Sequence, residues 1–375
     1  MKPRLRRYVA RHAGRAYFNV PKVFAAALHD VRYFANILRG VQFSSRAVIT
    51  ISEVGMRVSV ERAKVLTADA YMTFNIFDEH KYTPPADRED GEPGACFEIP
   101  LLVLVEALNM FGSGFASTAP SSQSAFKRNG AGGDSDSDHG QGKIDHFFAK
   151  KDKDGKRTGM RINYAGEGHP LVLHLSEDAT GPHTTCKIKT LVPDDMANLE
   201  FDDDRKVAKI IMRSSWLRDA LSELEAWSCR DITFIATPSP QATSTRTATG
   251  KQSMQPTLRI RADGAFGSTE MDYPNDREVL ETFECADEVV VTYKFSHIAN
   301  CLQALRSSTK TSLRIDDEGV LSLQFMMPTM RNSNDTSTAF IEFRVCVSIY
   351  RWECSQNTFL VPCSGRRYRI VCNIL

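Results

Sequence analysis

Apolar residues recur along this chain with two periods, and the periods divide it into elements. At 28–40 (LHDVRYFANILRG) Val31, Phe34, Ala35 and Leu38 repeat at the spacing of an amphipathic helix, leaving Arg32, Asn36 and Arg39 on the opposite face. AVITIS, MRVSVE and AYMTFNIF then alternate apolar with polar positions, the mark of half-buried strands, and Gly55 signals a turn before Met56. A second helical run at 100–111 (PLLVLVEALNMF) aligns Leu101, Leu104, Val105 and Leu108, with a proline at its first turn. MRINYA, PLVLHL and TCKIKTL return to strand alternation.

The second half repeats this order. KVAKIIM is strand-like, and 215–226 (SWLRDALSELEA) is helical through Trp216, Leu217, Ala220, Leu221 and Leu224. DITFIAT, TLRIRAD, GSTEMDY and VVVTYKF read as strands. A helix at 296–308 follows, through Ile298, Leu302 and Leu305, and then the strands TSLRID, GVLSLQFMM and FIEFRVCV. Each half thus reads strand, helix, several strands, helix, several strands, a duplication of architecture without visible residue identity.

Two segments break the pattern. Residues 116–158 are rich in Ser, Gly, Asp and Lys, and 238–256 in Ser, Thr, Pro and Gln; neither carries enough apolar surface to offset the entropy of ordering, so both are expected to be disordered loops. Between the halves, 191–206 (LVPDDMANLEFDDDRK) reads as an acidic connector. The first 28 residues hold seven Lys or Arg and no acid.

Across its 375 residues the chain carries 47 Lys plus Arg against 46 Asp plus Glu, a net charge of +1. That balance excludes a uniformly basic or acidic protein, so any anion-binding surface must be local. The longest apolar run already contains Glu106 and Asn109, which predicts a soluble protein. Nine cysteines lack CxxC or zinc-finger spacing and are expected as reduced, packed thiols; no metal or cofactor is implied.

Two similar halves, each with two helices on antiparallel sheet, give an α+β ground plan. With it, DVRYFANILRGVQF, FEIPLLVLVEALNMFG, LRDALSELE, TEMDYPND and GVLSLQFMM, in this order, resemble the Rad-one subunit family of the heterotrimeric DNA-damage checkpoint clamp. The resemblance covers about 23–115, 159–237 and 257–347. It implies a sliding DNA clamp fold like that of proliferating cell nuclear antigen, with sheets outside and helices on the inner face. It also implies a nuclear ring built with Rad-nine-type and Hus-one-type subunits, placed around double-stranded DNA by a checkpoint clamp loader. The expected division is a basic extension (1–20), clamp domain 1 (21–200, with the insertion 116–158 and a connector from 191), clamp domain 2 (201–347, with the loop 238–256) and an irregular tail (348–375). On the inner face the polar sides of the helices place Arg32, Arg39, Arg218, His297, Arg306 and Lys310 as sequence-blind phosphate contacts.

Within the insertion, QGKIDHFF sets Gln141, Ile144, Phe147 and Phe148 at the spacing by which repair proteins plug into the replicative clamp: one helical turn aligns the aliphatic residue and both rings, for binding to that clamp or for folding back onto a pocket beside the connector of this or another clamp subunit. The acidic run 134–138 beside it resembles an acidophilic kinase site. The competing reading is a 3'-5' DNA exonuclease, whose chemistry needs acidic residues converging on divalent metals. The acidic clusters 202–204 and 316–318 fall in a connector and a turn, which favours a non-catalytic clamp subunit.

Overall fold

A computed structural model of the chain describes residues 22–84, 94–111, 158–177, 182–196, 199–238, 258–264, 267–328, 339–347, 359–363 and 366–370. The first half runs β1 (Phe24–Leu28), α1 (Arg32–Gly40), β2 (Arg46–Ile51), β3 (Gly55–Arg62), β4 (Leu66–Thr73), β5 (Glu79–Tyr82), β6 (Ala95–Pro100), α2 (Leu101–Leu108), β7 (Gly159–Tyr164), β8 (Leu171–Ser176) and β9 (His183–Ile188). The second runs β10 (Lys206–Arg213), α3 (Ser214–Ala226), β11 (Asp231–Ala236), β12 (Leu258–Gly264), β13 (Gly267–Tyr273), β14 (Leu280–Cys285) and β15 (Val289–Lys294). It continues through α4 (Phe295–Ile298), a 3-10 turn, α5 (Leu302–Ser307), β16 (Lys310–Asp316), β17 (Leu321–Met327) and β18 (Ala339–Val345).

The duplication extends to the hydrogen-bonding pattern. β1 lies between β5 and β7 as β10 lies between β14 and β16; β2 lies between β3 and β6 as β11 lies between β12 and β15. One five-stranded sheet, β5-β1-β7-β8-β9, stands alone, whereas its counterpart β14-β10-β16-β17-β18 continues through β18 into β4-β3-β2-β6 to make nine strands. The four-stranded counterpart β13-β12-β11-β15 also stands alone. The two halves are therefore joined by one antiparallel seam, in register from Ala339↔Met72 to Val345↔Leu66.

Period-2 alternation gives this seam two faces. On the helix side Ala339, Ile341, Phe343 and Val345 and their partners Met72, Ala70, Ala68 and Leu66 are all buried. There the α1 end approaches so closely that a Cβ on Gly40 would lie 2.5 Å from Ile341 Cδ1 and 3.3 Å from Ala304 Cβ of α5. Arg62 adds a hydrogen bond to Asn300 (3.0 Å) and another to the Phe43 carbonyl (2.6 Å).

On the other face Tyr71 stacks on Phe340 at 4.6 Å. Beside them the buried Glu342 accepts from Arg314 and Ser322, each at 2.7 Å, and pairs with Arg344, which also reaches Asp69 (3.2 Å). Arg314 is covered by the connector: Asp203 accepts from it at 2.6 Å, and the Phe201 ring lies 4.7 Å from its Cζ.

The structure adds strands that periodicity did not single out. β1 is alanine-rich, β6 runs directly into α2, and β5 and β14 sit at sheet edges with few buried positions. The tail, expected to be irregular, contains an antiparallel pair, Phe359–Cys363 with Arg366–Ile370. The apolar run ending at Leu108 stays eight residues long, and among the described residues no helix is long and apolar enough to cross a membrane.

Glu342→Ala should lower the unfolding free energy by about 3–5 kcal/mol, because two guanidinium groups lose a buried carboxylate. Chemical denaturation measures this. A loss below about 1 kcal/mol would show that the network does not hold the seam. Gly40→Val, which forces atoms into the α1/α5 contact, should cost about 1–3 kcal/mol in the same experiment.

Candidate nucleic-acid interface

The helices form one row across the two halves: α2 touches α1, α1 touches α5, and α5 touches α3. Each turns an apolar stripe to the sheets, with Phe34, Ala35, Ile37 and Leu38 buried on α1 and Leu217, Ala220, Leu221 and Leu224 on α3. The remaining faces lie side by side, mostly polar on α1, α3 and α5 but apolar on α2 apart from Glu106, and their charge is unevenly distributed. α1 carries Arg32 and Arg39 and no acid; α4 and α5 carry His297 and Arg306 and no acid. α3 carries Arg218 against Asp219, Glu223 and Glu225, and α2 carries only Glu106. The positive face is thus the middle pair, α1 and α5, directly over the seam between the halves.

The sequence-derived residues differ in what they can offer. Arg39 is half-buried, and Arg306 is exposed with a contact of 3.4 Å to Gln303. Arg32 is held by the buried Asp30 through Nη2 (2.6 Å) and Nε (2.9 Å). That hydrogen bond, ahead of the opposing desolvation, raises the guanidinium pKa further. Arg218 pairs with its neighbour Asp219 at 2.8 Å. Burial, then Lys294 and Arg62, lowers the His297 pKa, so this imidazole is neutral at neutral pH and offers hydrogen bonds rather than charge.

Lys310 requires a correction. It belongs to β16, opposite Met326, and the register Ser312↔Gln324↔Glu342 puts it on the face away from the helices, where it pairs with Glu281 at 2.7 Å. The helical pattern ends before it, so helical periodicity could not assign its direction. The peptide residues Gln141, Ile144, Phe147 and Phe148 lie outside the described residues. Sequence reasoning missed Arg62 and Lys294, which flank His297; both sit at strand ends and escape a search for helix faces.

The acidic clusters come together, but around an arginine. Arg205 binds Asp202 (2.7 Å), Asp317 (3.3 Å) and Glu318 (2.9 Å), while Asp316 accepts from the Val320 N–H at 2.8 Å and its pKa is raised by burial. Three carboxylates converge on one guanidinium, whose charge offsets part of theirs, and the group forms a structural clasp between the connector and the β16–β17 turn. Among the described residues no group of three His, Cys, Asp or Glu has the arrangement of a metal site.

The ends of the arc are also defined by duplication. β9 and β13 are the counterparts of β18 and β4, which pair inside the chain, yet among the described residues both end their sheets as open edges. Likewise α2 and α3 are the counterparts of α5 and α1, which touch; at the row's ends they expose Leu102 (47%) and Val103 (46%) on α2 and Trp216 (43%) on α3. Each end therefore presents an open strand edge beside exposed apolar side chains, the composition of an interface.

Residues 23–327 match the family model for the repair proteins Rad1/Rec1/Rad17. The human cell cycle checkpoint protein RAD1 is 31% identical over 86% of this chain and 90% of its own length. The Schizosaccharomyces pombe DNA damage checkpoint control protein rad1 is 28% identical over 81% of each. A further relative at 25% identity, from Mycosarcoma maydis, is named DNA repair exonuclease REC1. Among solved structures, the Proliferating Cellular Nuclear Antigen of Entamoeba histolytica superposes with a TM-score of 0.58 over 88% of this chain and all of its own, at 11% identity. The fold is that of this α+β clamp.

Substituting Arg32 should register as stability. Arg32→Ala leaves the buried Asp30 carboxylate without its fork and should cost about 3 kcal/mol of unfolding free energy. An unchanged thermal midpoint would return Arg32 to the set of solvent-facing cations.

Proposed function

This chain belongs to the Rad1/Rec1/Rad17 repair protein family, and on that premise we propose that it is a non-catalytic subunit of a checkpoint clamp, encircling double-stranded DNA at damage in the nucleus. The observation that carries this reading is the pair of open ends. An arc whose β18–β4 seam already joins two like halves can be extended by the same joint at β9 and β13, head to tail, until a ring closes. The two halves, 21–200 and 201–347, act as two clamp domains. Rad-nine-type and Hus-one-type subunits take the two edges, and a clamp loader delivers the ring.

Within the ring the row of helices faces DNA. Arg39 and Arg306, on the two acid-free helices, are the principal phosphate contacts, with His297 and Arg62 beside them. Arg32 and Arg218 contribute less because Asp30 and Asp219 already hold them. Such contacts position DNA through its charge without reading sequence, as a sliding ring requires. Gln141, Ile144, Phe147 and Phe148 are proposed as a peptide for the replicative clamp, a reading that rests on their spacing.

A nuclease reading draws on the printed name of the Mycosarcoma maydis relative. Against it stands the use of Asp202, Asp317 and Glu318 as ligands of Arg205. The DNA-facing set is tested by Arg39→Glu combined with Arg306→Glu in the assembled ring. Retention on closed circular DNA should fall, and its dependence on log salt should flatten by about 2, roughly 0.9 for each phosphate contact. Assembly, followed by size-exclusion chromatography, should not change. Normal retention at moderate salt would move the DNA contact to other helices.

A further inference from the structure

The joint inside the chain closes tightly at one point, where a Cβ on Gly40 of α1 would meet Ile341 of β18 at 2.5 Å and Ala304 of α5 at 3.3 Å. The duplication identifies what stands at that point at each open end. α1 and α3 are anchored alike: the Val31 N–H donates to the Thr158 carbonyl (3.0 Å) and the Ser214 N–H to that of Thr309 (3.1 Å), one residue before β7 and β16. Counted from these anchors, the buried Phe34, Ile37 and Leu38 fall on the buried Leu217, Ala220 and Leu221, and Gly40 falls on Glu223. α2 and α4 are also anchored alike, the Leu101 N–H on the Ser45 carbonyl and the Phe295 N–H on that of Arg230, each at 2.9 Å, so that Ala304 falls on Met110. The strand register sets Thr184, opposite Leu175, in the place of Ile341, opposite Phe325.

Glu223 is exposed and shares one side of α3 with Trp216 and Asp219. That side borders β13: the Tyr273 hydroxyl donates to the Trp216 carbonyl at 3.3 Å, and burial, then Asp219 and Glu223, pushes the Tyr273 phenol up to about 12. Asp219 is engaged by Arg218 at 2.8 Å. A subunit docked on β13 as β18 docks on β4 would therefore cover Glu223. Covering a carboxylate is unfavourable unless a cation or a hydrogen-bond donor meets it, whatever holds it beforehand. In a second copy of this chain the facing place is taken by Met110 and Thr184, and the adjoining α2 carries Glu106 and no cation. Bulk stands on both sides where the internal joint has Gly40 against Ala304, so the two ends of the chain do not suit each other.

We propose that Glu223 selects the partner at the β13–α3 end: this end docks a clamp subunit of different sequence that sets a lysine or arginine of its helix row against Glu223, and it rejects a second copy of this chain. The strand edges supply the main-chain hydrogen bonds common to every joint of the ring, and Trp216 supplies an apolar contact; the charge at Glu223 decides which chain is accepted. This inference rests on the reading of the chain as a ring subunit and adds the chemistry of one neighbour to it.

The test measures pairwise affinity of the full chain for each of the other two clamp subunits by biolayer interferometry, and the state of the chain alone by sedimentation velocity. Glu223→Lys should weaken binding to one of the two subunits at least tenfold, and Glu223→Gln should weaken it less. Salt should weaken that complex more steeply for wild type than for Glu223→Gln. The other subunit, at the β9–α2 end, should bind all three proteins alike, which also shows that the variants fold. Wild type alone should sediment as a monomer. Binding of wild type to neither subunit would overturn the ring reading and this proposal with it. Three results would overturn the proposal alone: unchanged affinity of Glu223→Lys for both subunits; wild type assembling by itself; or Arg246→Gln with Lys251→Gln weakening the same complex as much as Glu223→Gln, which would assign the carboxylate to the segment 239–257 of its own chain.

Discussion

The β18–β4 seam is the constraint on which the rest of the molecule depends. It joins strands contributed by the two halves, fixes their register, and thereby fixes how the helices of one half meet those of the other. Its two faces divide the work. The helix side is apolar and so tightly closed at Gly40 that a Cβ there would have to displace the Ile341 side chain, while the outer side ties Arg314, Glu342, Arg344 and Asp69 into one network. A buried network of this kind is a weak source of stability compared with an apolar contact, but it penalises a slipped register, since each displaced charge would lose its partner.

From this seam the function follows by repetition. A joint that works once inside the chain leaves the equivalent surfaces, β9 with α2 and β13 with α3, unpaired at its ends. The same joint places the acid-free helices α1 and α5 side by side, so positive charge gathers at the middle of the helix row and falls off toward α2 and α3. A chain with almost no net charge thus presents a cationic strip to the inside of the arc without a basic composition.

Much of this was legible in the sequence. The 3.6-residue period located α1, α2, α3 and the helical stretch 296–308 that holds α4 and α5, and so, by subtraction, the polar faces with Arg39 and Arg306. What was not legible depended on contacts outside one element. Arg32 reads as a solvent-facing helix cation, but Asp30, two residues away and buried, holds it. Lys310 followed a helix but belongs to a strand whose alternation turns it outward. β5 and β14 bury too little to leave a period, and the seam joins segments too far apart in sequence for local pattern to pair them.

The central claim is that β9 and β13 carry the joint between subunits. Amide hydrogen exchange on the chain alone and in complex with its clamp partners tests it most directly. The account predicts slowed exchange on assembly at outward-facing amides of both β9 and β13, with the β18–β4 amides slow in both states. Unchanged exchange at β9 and β13 in a complex of full stoichiometry would contradict it.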